Sequence, residues 1–311
     1  MTAAAAVQPV AQQRRPMRWR RIALYAFLTF MAITWLFPLL WAIYTALRPY
    51  ADTLEHGYIS LPGVIGFDNF TDAWTRGNIP RFYLNSLVIT IPAVIATLFI
   101  ASMVAFAVTR FSWRFNFLAL IIFTAGNLLP PQVIIVPLFR LYLLLPVPKL
   151  FGIPIDGANL AIFSETGKLY DQYFGVILIH VAFQIGFCIF VLSNYMRTLS
   201  KELTEAALAD GASVWRIYWN VILPLCRPAL AALATLEFTF IYNDLFWALV
   251  LVPSGDRRPA VAALNNLQGQ FFTDINLLAA AALLVAIPTI LVYAILQRQF
   301  ISGLTLGSTK G

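Results

Sequence analysis

Glu237 and Asp244 interrupt a stretch from Pro228 to Gly255 that is otherwise uncharged. A carboxylate kept in such surroundings is held by a partner, carries a proton or lines a solute path. Their seven-residue spacing puts both on one face of a helix. His180 and Gln184, one turn apart in another apolar stretch, also share a face. Such residues commonly pair across helices, and lining a path is the other reading. Outside the apolar stretches, Glu205-Ala206-Ala207, Asp210, Gly211 and Leu223-Pro224 form a spaced set. It suits docking: a lone carboxylate beside small side chains can make a charge-assisted hydrogen bond to an approaching surface. The sequence carries no Gly-x-x-x-x-Gly-Lys-Ser/Thr stretch to cradle phosphates, no Gly-x-Ser-x-Gly and no His-Glu-x-x-His. Cys188 and Cys226 lie within or beside apolar runs and indicate neither a disulfide framework nor a Cys-based metal site. No catalytic residue, metal ligand or cofactor is assigned to the chain itself.

The elements that position these residues follow from composition. A chain of 311 residues that is 60% hydrophobic and 11% charged has more apolar surface than a water-soluble core can hide, so lipid is its solvent. The net charge of +7 comes from basic residues set between apolar runs rather than gathered on a polar face, which argues against a nucleic-acid partner. A bilayer core needs about 20 apolar residues per helix. Six stretches qualify: about 22–47, 82–109, 115–139, 172–196, 228–252 and 275–297. They are read as helices because an isolated strand cannot satisfy its backbone in lipid. The first follows five arginines but is too long for a secretory signal, so it is expected to remain as a span after a tail over residues 1–21. Thirteen of the 21 Lys and Arg fall on the side of the N-terminus with three acids, against eight basic residues and nine acids opposite. This asymmetry predicts that both termini are cytoplasmic. Pro130, Pro131 and Pro137 predict a kink or break in the third span, where Asn127 and Gln132 could border a water-filled cavity.

The cytoplasmic segment 197–227 between the fourth and fifth spans reads as helix, turn, helix. Ser200 is a good N-cap, Glu202 and Glu205 suit the positive end of the dipole, and Leu203 to Ala209 has high helix propensity. Gly211 permits the left-handed turn that ends the helix. Ser213 can cap a second helix, which Pro224 is expected to stop.

Glu205-Ala206-Ala207, three residues, Gly211, then Val221 and Leu223-Pro224 resembles the EAA loop of binding-protein-dependent ABC importer permeases. Val221 in place of isoleucine is the one departure. The ending from Gln297 to Gly311, with Gly303-Leu304-Thr305, Gly307 and Lys310-Gly311, is similar to that of the smaller maltose-type permease subunits. Asn243-Asp244 and Pro130-Pro131-Gln132 are similar to that group too. The outer loop 145–171 is longer than is usual there. The resemblance implies an all-α type I importer permease with six transmembrane helices, multi-pass in a prokaryotic inner or plasma membrane. It implies a second, larger permease that carries most of the sugar contacts, two copies of an ATPase that uses ATP and Mg²⁺, an extracytoplasmic solute-binding protein and a sugar substrate. Glu205, Ala206, Ala207, Asp210, Gly211, Leu223 and Pro224 would then dock on the ATPase. Residues 301–311, with Gly303, Leu304, Thr305 and Gly307, would form a tail reaching between the ATPases. Asn127, Pro130, Pro131, Gln132, Glu237, Asn243 and Asp244 would border the path or its gate. A non-sugar solute, and an ion-driven transporter using Glu237 and Asp244 as proton carriers, are the alternative readings.

Overall fold

The computed structural model describes residues 18–126, 130–148, 153–155, 158–160, 167–269 and 273–305. The chain begins with α1 (Arg18–Ala46), α2 (Tyr50–His56), α3 (Asp68–Thr75), α4 (Ile79–Arg110), α5 (Asn116–Gly126) and α6 (Pro131–Leu144). A short antiparallel hairpin, β1 (Ile153–Ile155) and β2 (Ala158–Leu160), follows with Ile153 opposite Leu160. Then come α7 (Tyr173–Thr198), α8 (Glu202–Ala209), α9 (Val214–Ile217), a π turn over Tyr218–Ile222, α10 (Leu223–Leu225) and α11 (Arg227–Tyr242). The last helices are α12 (Phe246–Leu251), α13 (Ala260–Ala263) and α14 (Ile275–Thr305). The hairpin is a departure from the all-α expectation and lies between α6 and α7.

Helices α1, α4, α7 and α14 are each long and apolar enough to cross a membrane. Two bent pairs bring the number to as many as six if each is one span. These are α5 with α6, at 93°, and Val214–Leu225 with α11, at 73°. The third stretch is thus broken beside Pro130 and Pro131, as the missing donors there require, while Pro137 sits inside a continuous α6. The fifth stretch is not one helix. It breaks after Tyr242 and resumes at Phe246, leaving α11 with 16 residues. Helix α14 continues past Gln297 to Thr305, so Gly303, Leu304 and Thr305 are helical and do not begin a tail at 301.

Packing between the membrane helices follows from small side chains. In α4, Ala93, Thr97, Ala101 and Ala105 recur every fourth residue and are all fully buried, which lets two helix backbones approach closely where lipid supplies no hydrophobic drive. Ala101 and Ala105 meet Cys188, Ile189 and Leu192 of α7 and Ala229 and Leu233 of α11 in one core cluster. Ala280, Ala281 and Val285 of α14 pack with Phe82 of α4 and Tyr242 of α11 in another.

The segment 48–78, between α1 and α4, is built around a buried ion pair. Arg48 is 1% exposed, and its Nε donates to Asp52 Oδ2 at 2.5 Å. Its other nitrogens reach the Gly57 carbonyl at 3.0 Å and Ser60 Oγ at 2.9 Å. Asn276 of α14 donates to the Thr45 carbonyl and to Thr53 Oγ1, at 3.0 and 2.9 Å, tying this cap to the bundle. The Arg48 hydrogen bond holds the Asp52 carboxyl below its ordinary range, outweighing the opposite pull of burial. A lowered folded-state value stabilises the ionised form. That contribution is complete above the ordinary carboxyl range and is lost as pH falls through the lowered value. Asp52→Asn is therefore expected to lower the thermal midpoint of the detergent-solubilised protein at neutral pH, with the gap to wild type narrowing on acidification. A gap that stays constant with pH would show that the ionised pair contributes nothing.

Candidate functional site

Two regions hold the residues singled out by sequence. The first is the segment from Ser200 to Leu225 that follows α7. Ser200 Oγ accepts the Glu202 N–H at 3.1 Å, and Glu202 and Glu205 occupy the first turn of α8. Gly211 takes φ +77°. Its N–H donates to the Leu208 carbonyl and that of Ala212 to the Ala207 carbonyl, both at 3.0 Å, the paired closure that a left-handed residue after a helix makes possible. Ser213 Oγ then accepts the Arg216 N–H at 3.3 Å and starts α9. Pro224 does not stop this second helix. The chain widens into the π turn over Tyr218–Ile222 and stays helical to Leu225, and the wider turn takes up the backbone that a proline leaves without a donor.

One side of this element is anchored and the other is bare. Ile217, Tyr218, Ile222 and Cys226 are buried against α4 and α7, and the Tyr218 hydroxyl lies 2.8 Å from Ser102 Oγ. Arg110, at the end of α4, donates to the carbonyls of Met196 at 2.9 Å and of Leu199 and Ser200 at 3.3 Å, closing the end of α7 just before α8 begins. On the other side Glu205, Ala206, Asp210 and Gly211 are exposed. So are the apolar side chains of Leu203, Leu208, Val214 and Trp215, the last by 55%.

The second region lies among the membrane helices. Helix α11 ends at Tyr242, and the Asp244 carboxylate caps α12, Oδ2 accepting the N–H groups of Trp247 at 3.1 Å and Ala248 at 3.2 Å. The same oxygen is 3.7 Å from His180 Nε2. These residues, with Phe183, Gln184, Phe240, Trp247 and Pro131, line a cavity of about 360 Å³. Asp244 and Pro131 thus meet His180 and Gln184, whereas Glu237 does not share their surface. Glu237 is fully buried between α7 and α11, where the Cys188 thiol donates to Oε1 at 3.2 Å. The helix break removes the common face expected of Glu237 and Asp244. Asn243 turns away, its Nδ2 donating to the Thr239 carbonyl at 2.8 Å, and Gln132 is exposed beside Pro130. Asn127 and Gly307 lie outside the described residues. Sequence reasoning missed Phe183 and Trp247 as cavity residues. Only Phe183 carried a signal in its spacing, three residues after His180 within α7.

The family described as the binding-protein-dependent transport system inner membrane component matches residues 93–305. The chain belongs to this family. It is an inner-membrane permease component, and α8 and α9 lie within the matched residues. A probable ABC transporter permease protein of Pyrococcus horikoshii is 30% identical over 276 residues, covering 88% of this chain and 92% of the relative. The diacetylchitobiose uptake system permease protein NgcG of Streptomyces coelicolor is 29% identical over 289 residues, covering 92% and 88%. Among solved structures, a bacterial ABC transporter involved in the import of the acidic polysaccharide alginate has a chain of the same fold. Its TM-score is 0.74 at 22% identity, over 94% of this chain and all of the other.

Proposed function

We propose that this permease forms, with a second and larger permease, the translocation path of an ATP-driven importer for a saccharide delivered by an extracytoplasmic solute-binding protein. The chain crosses the membrane six times, counting each bent pair as one span, with both termini cytoplasmic. Two copies of an ATPase subunit bind and hydrolyse ATP with Mg²⁺, and one of them receives α8. The observation that carries this reading is the exposed side of α8 and α9, which bears a carboxylate, Glu205, and the bare apolar side chains of Leu203, Leu208, Val214 and Trp215 on an element otherwise buried against α4 and α7. Apolar surface of this kind outside a bilayer marks a protein contact. Gly303, Leu304, Thr305 and Gly307 add a second contact to the ATPases. Pro131 and Asp244 border the solute path, with Pro130, Gln132 and Asn243 near its rim, and Glu237 serves packing between α7 and α11. The saccharide class is supported by the diacetylchitobiose relative and by the alginate transporter that shares the fold.

The ion-driven alternative needs Glu237 and Asp244 on one surface, which the helix break denies it. Solute uptake in cells is expected to require the coexpressed ATPase and to resist a protonophore. Uptake without the ATPase, or its collapse with the protonophore, would reverse the assignment. Orientation has its own check, because the basic-residue asymmetry predicts that a cysteine replacing Gly255 is labelled in intact cells and one replacing Ala3 is not. The opposite labelling would overturn the topology.

A further inference from the structure

We propose that the cavity between α7, α11 and α12 is a subsite on this chain for an uncharged glycosyl unit. The inference rests on the saccharide-importer reading above and adds two things to it: that this subunit itself holds the sugar, and that the sugar carries no acid group. Its volume of about 360 Å³ falls at the small end of the roughly 300–1,000 Å³ range of small-molecule sites. The walls are of two kinds. Phe183 and Trp247, with ring centroids 5.3 Å apart and planes at 49°, make an aromatic corner, and Phe240 stands 59% exposed on another wall. The carbon-bound hydrogens of a pyranose give it apolar faces that suit such rings, because aromatic faces are apolar and electron-rich.

The polar groups match hydroxyls. Gln184 offers both donors and an acceptor. The Asp244 carboxylate is fixed by the Trp247 and Ala248 N–H groups and therefore presents its acceptors in one orientation. His180, 4% exposed, stands behind it and fixes the wall. A hydroxyl can donate to Asp244 and both give to and accept from Gln184, so a neutral polyol satisfies the set. A uronate does not. Among the described residues no Lys or Arg lines the cavity and a carboxylate does, so an acidic sugar would lose its hydration, meet a like charge and find no lysine or arginine on this wall to compensate. The site thus selects against the class of cargo carried by the alginate transporter of similar fold.

The test uses the whole complex, with its ATPase, second permease and binding protein, reconstituted in vesicles. The probes are neutral di- and trisaccharides and size-matched uronate oligosaccharides, with transport and ATPase measured in parallel. Wild type is expected to move neutral saccharides and not uronates. Gln184→Leu and Phe240→Leu are expected to lower the sugar moved per ATP hydrolysed by about tenfold, the equivalent of one lost hydrogen bond or stacking contact. A merely structural defect would lower transport and ATPase together and leave that ratio unchanged. Asp244→Asn keeps an acceptor for the α12 cap while removing the charge, and is expected to admit uronates. If neutral saccharides are transported with a wild-type ratio by both Gln184→Leu and Phe240→Leu, the subsite is overturned and the importer reading stands. A wild type that prefers uronates overturns the assignment of an uncharged ligand. If no saccharide of either kind stimulates ATPase, the saccharide reading fails and takes the subsite with it.

Discussion

Glu205→Ala and Gly211→Val are expected to insert at wild-type levels and to lower solute uptake by about tenfold or more, for two different reasons. Glu205 is exposed on α8, where a carboxylate contributes little to the stability of its own subunit. Across an interface the same group makes a hydrogen bond worth about 1.5–3 kcal/mol, a factor of about ten to a hundred in docking. Gly211 acts through backbone geometry. A Cβ built there meets no atom within 4 Å, so crowding is not the issue, but φ is +77°. A residue with a side chain loses roughly 1–2 kcal/mol in the left-handed region, and a β-branched one more. The cheaper response is to give up the closing hydrogen bonds from Gly211 and Ala212, which turns α8 relative to the anchored α9. Gly211→Asn is the informative companion, since asparagine tolerates this conformation and should retain most uptake. The measurement is solute-stimulated ATPase beside transport in reconstituted vesicles, with expression checked in parallel. Wild-type transport by both Glu205→Ala and Gly211→Val would mean that the segment is an ordinary loop.

Gly175→Ala is expected to be strongly destabilising for the addition of a single methyl group. A Cβ at this first turn of α7 would sit 2.2 Å from the Leu169 carbonyl oxygen and 3.0 Å from the Tyr142 ring. Leu169 and Tyr142 are both buried, and the Tyr142 hydroxyl donates to the Gly175 carbonyl at 2.8 Å. Because the nearer obstacle is backbone, no rotamer change relieves it; either the segment before α7 or helix α6 must move. The loss should reach or exceed the ~1–3 kcal/mol typical of overpacking. Gly126→Ala, at the end of α5 with open space around it, is the matched control and should change stability by less than about 0.5 kcal/mol. Thermal unfolding of the two variants in detergent compares them directly, and equal midpoints would show that the approach of Leu169 to Gly175 is not a constraint.

What the sequence made legible was whatever is set by solvent or by local backbone chemistry. Apolar length marked α1, α4, α7 and α14, the four helices long and apolar enough to cross a membrane, because lipid demands it. The turn at Gly211 and the caps at Ser200 and Ser213 were readable because each depends on one residue type at one position. The break in the fifth stretch was missed because no proline or glycine marks it. Its sign was Asn243-Asp244, side chains that bond to nearby backbone in preference to continuing a helix. The last apolar stretch does end at Gln297, but the helix runs on to Thr305, because backbone hydrogen bonding does not need apolar side chains to continue. Arg48 and Asp52 were counted as loop charges, since a single sequence does not show that one folds onto the other. The cavity was half legible. Its polar members stood out against apolar surroundings, but its aromatic walls are three among 45 aromatic residues, and only the packing of α7 against α12 selects them.

The π turn over Tyr218–Ile222 has a consequence for how the docking face is aimed. A π turn holds one residue more than an α turn over nearly the same rise, and one residue of α helix is about 100° of rotation. Those five residues therefore act as a phase shift between the segment that carries Val214 and Trp215 and the segment that leads through Leu225 into α11. The compass bearing of the face is written in the number of residues, not in their side chains. Substitutions within Tyr218–Ile222 alter how firmly the face is held, whereas an insertion or deletion there would point it elsewhere.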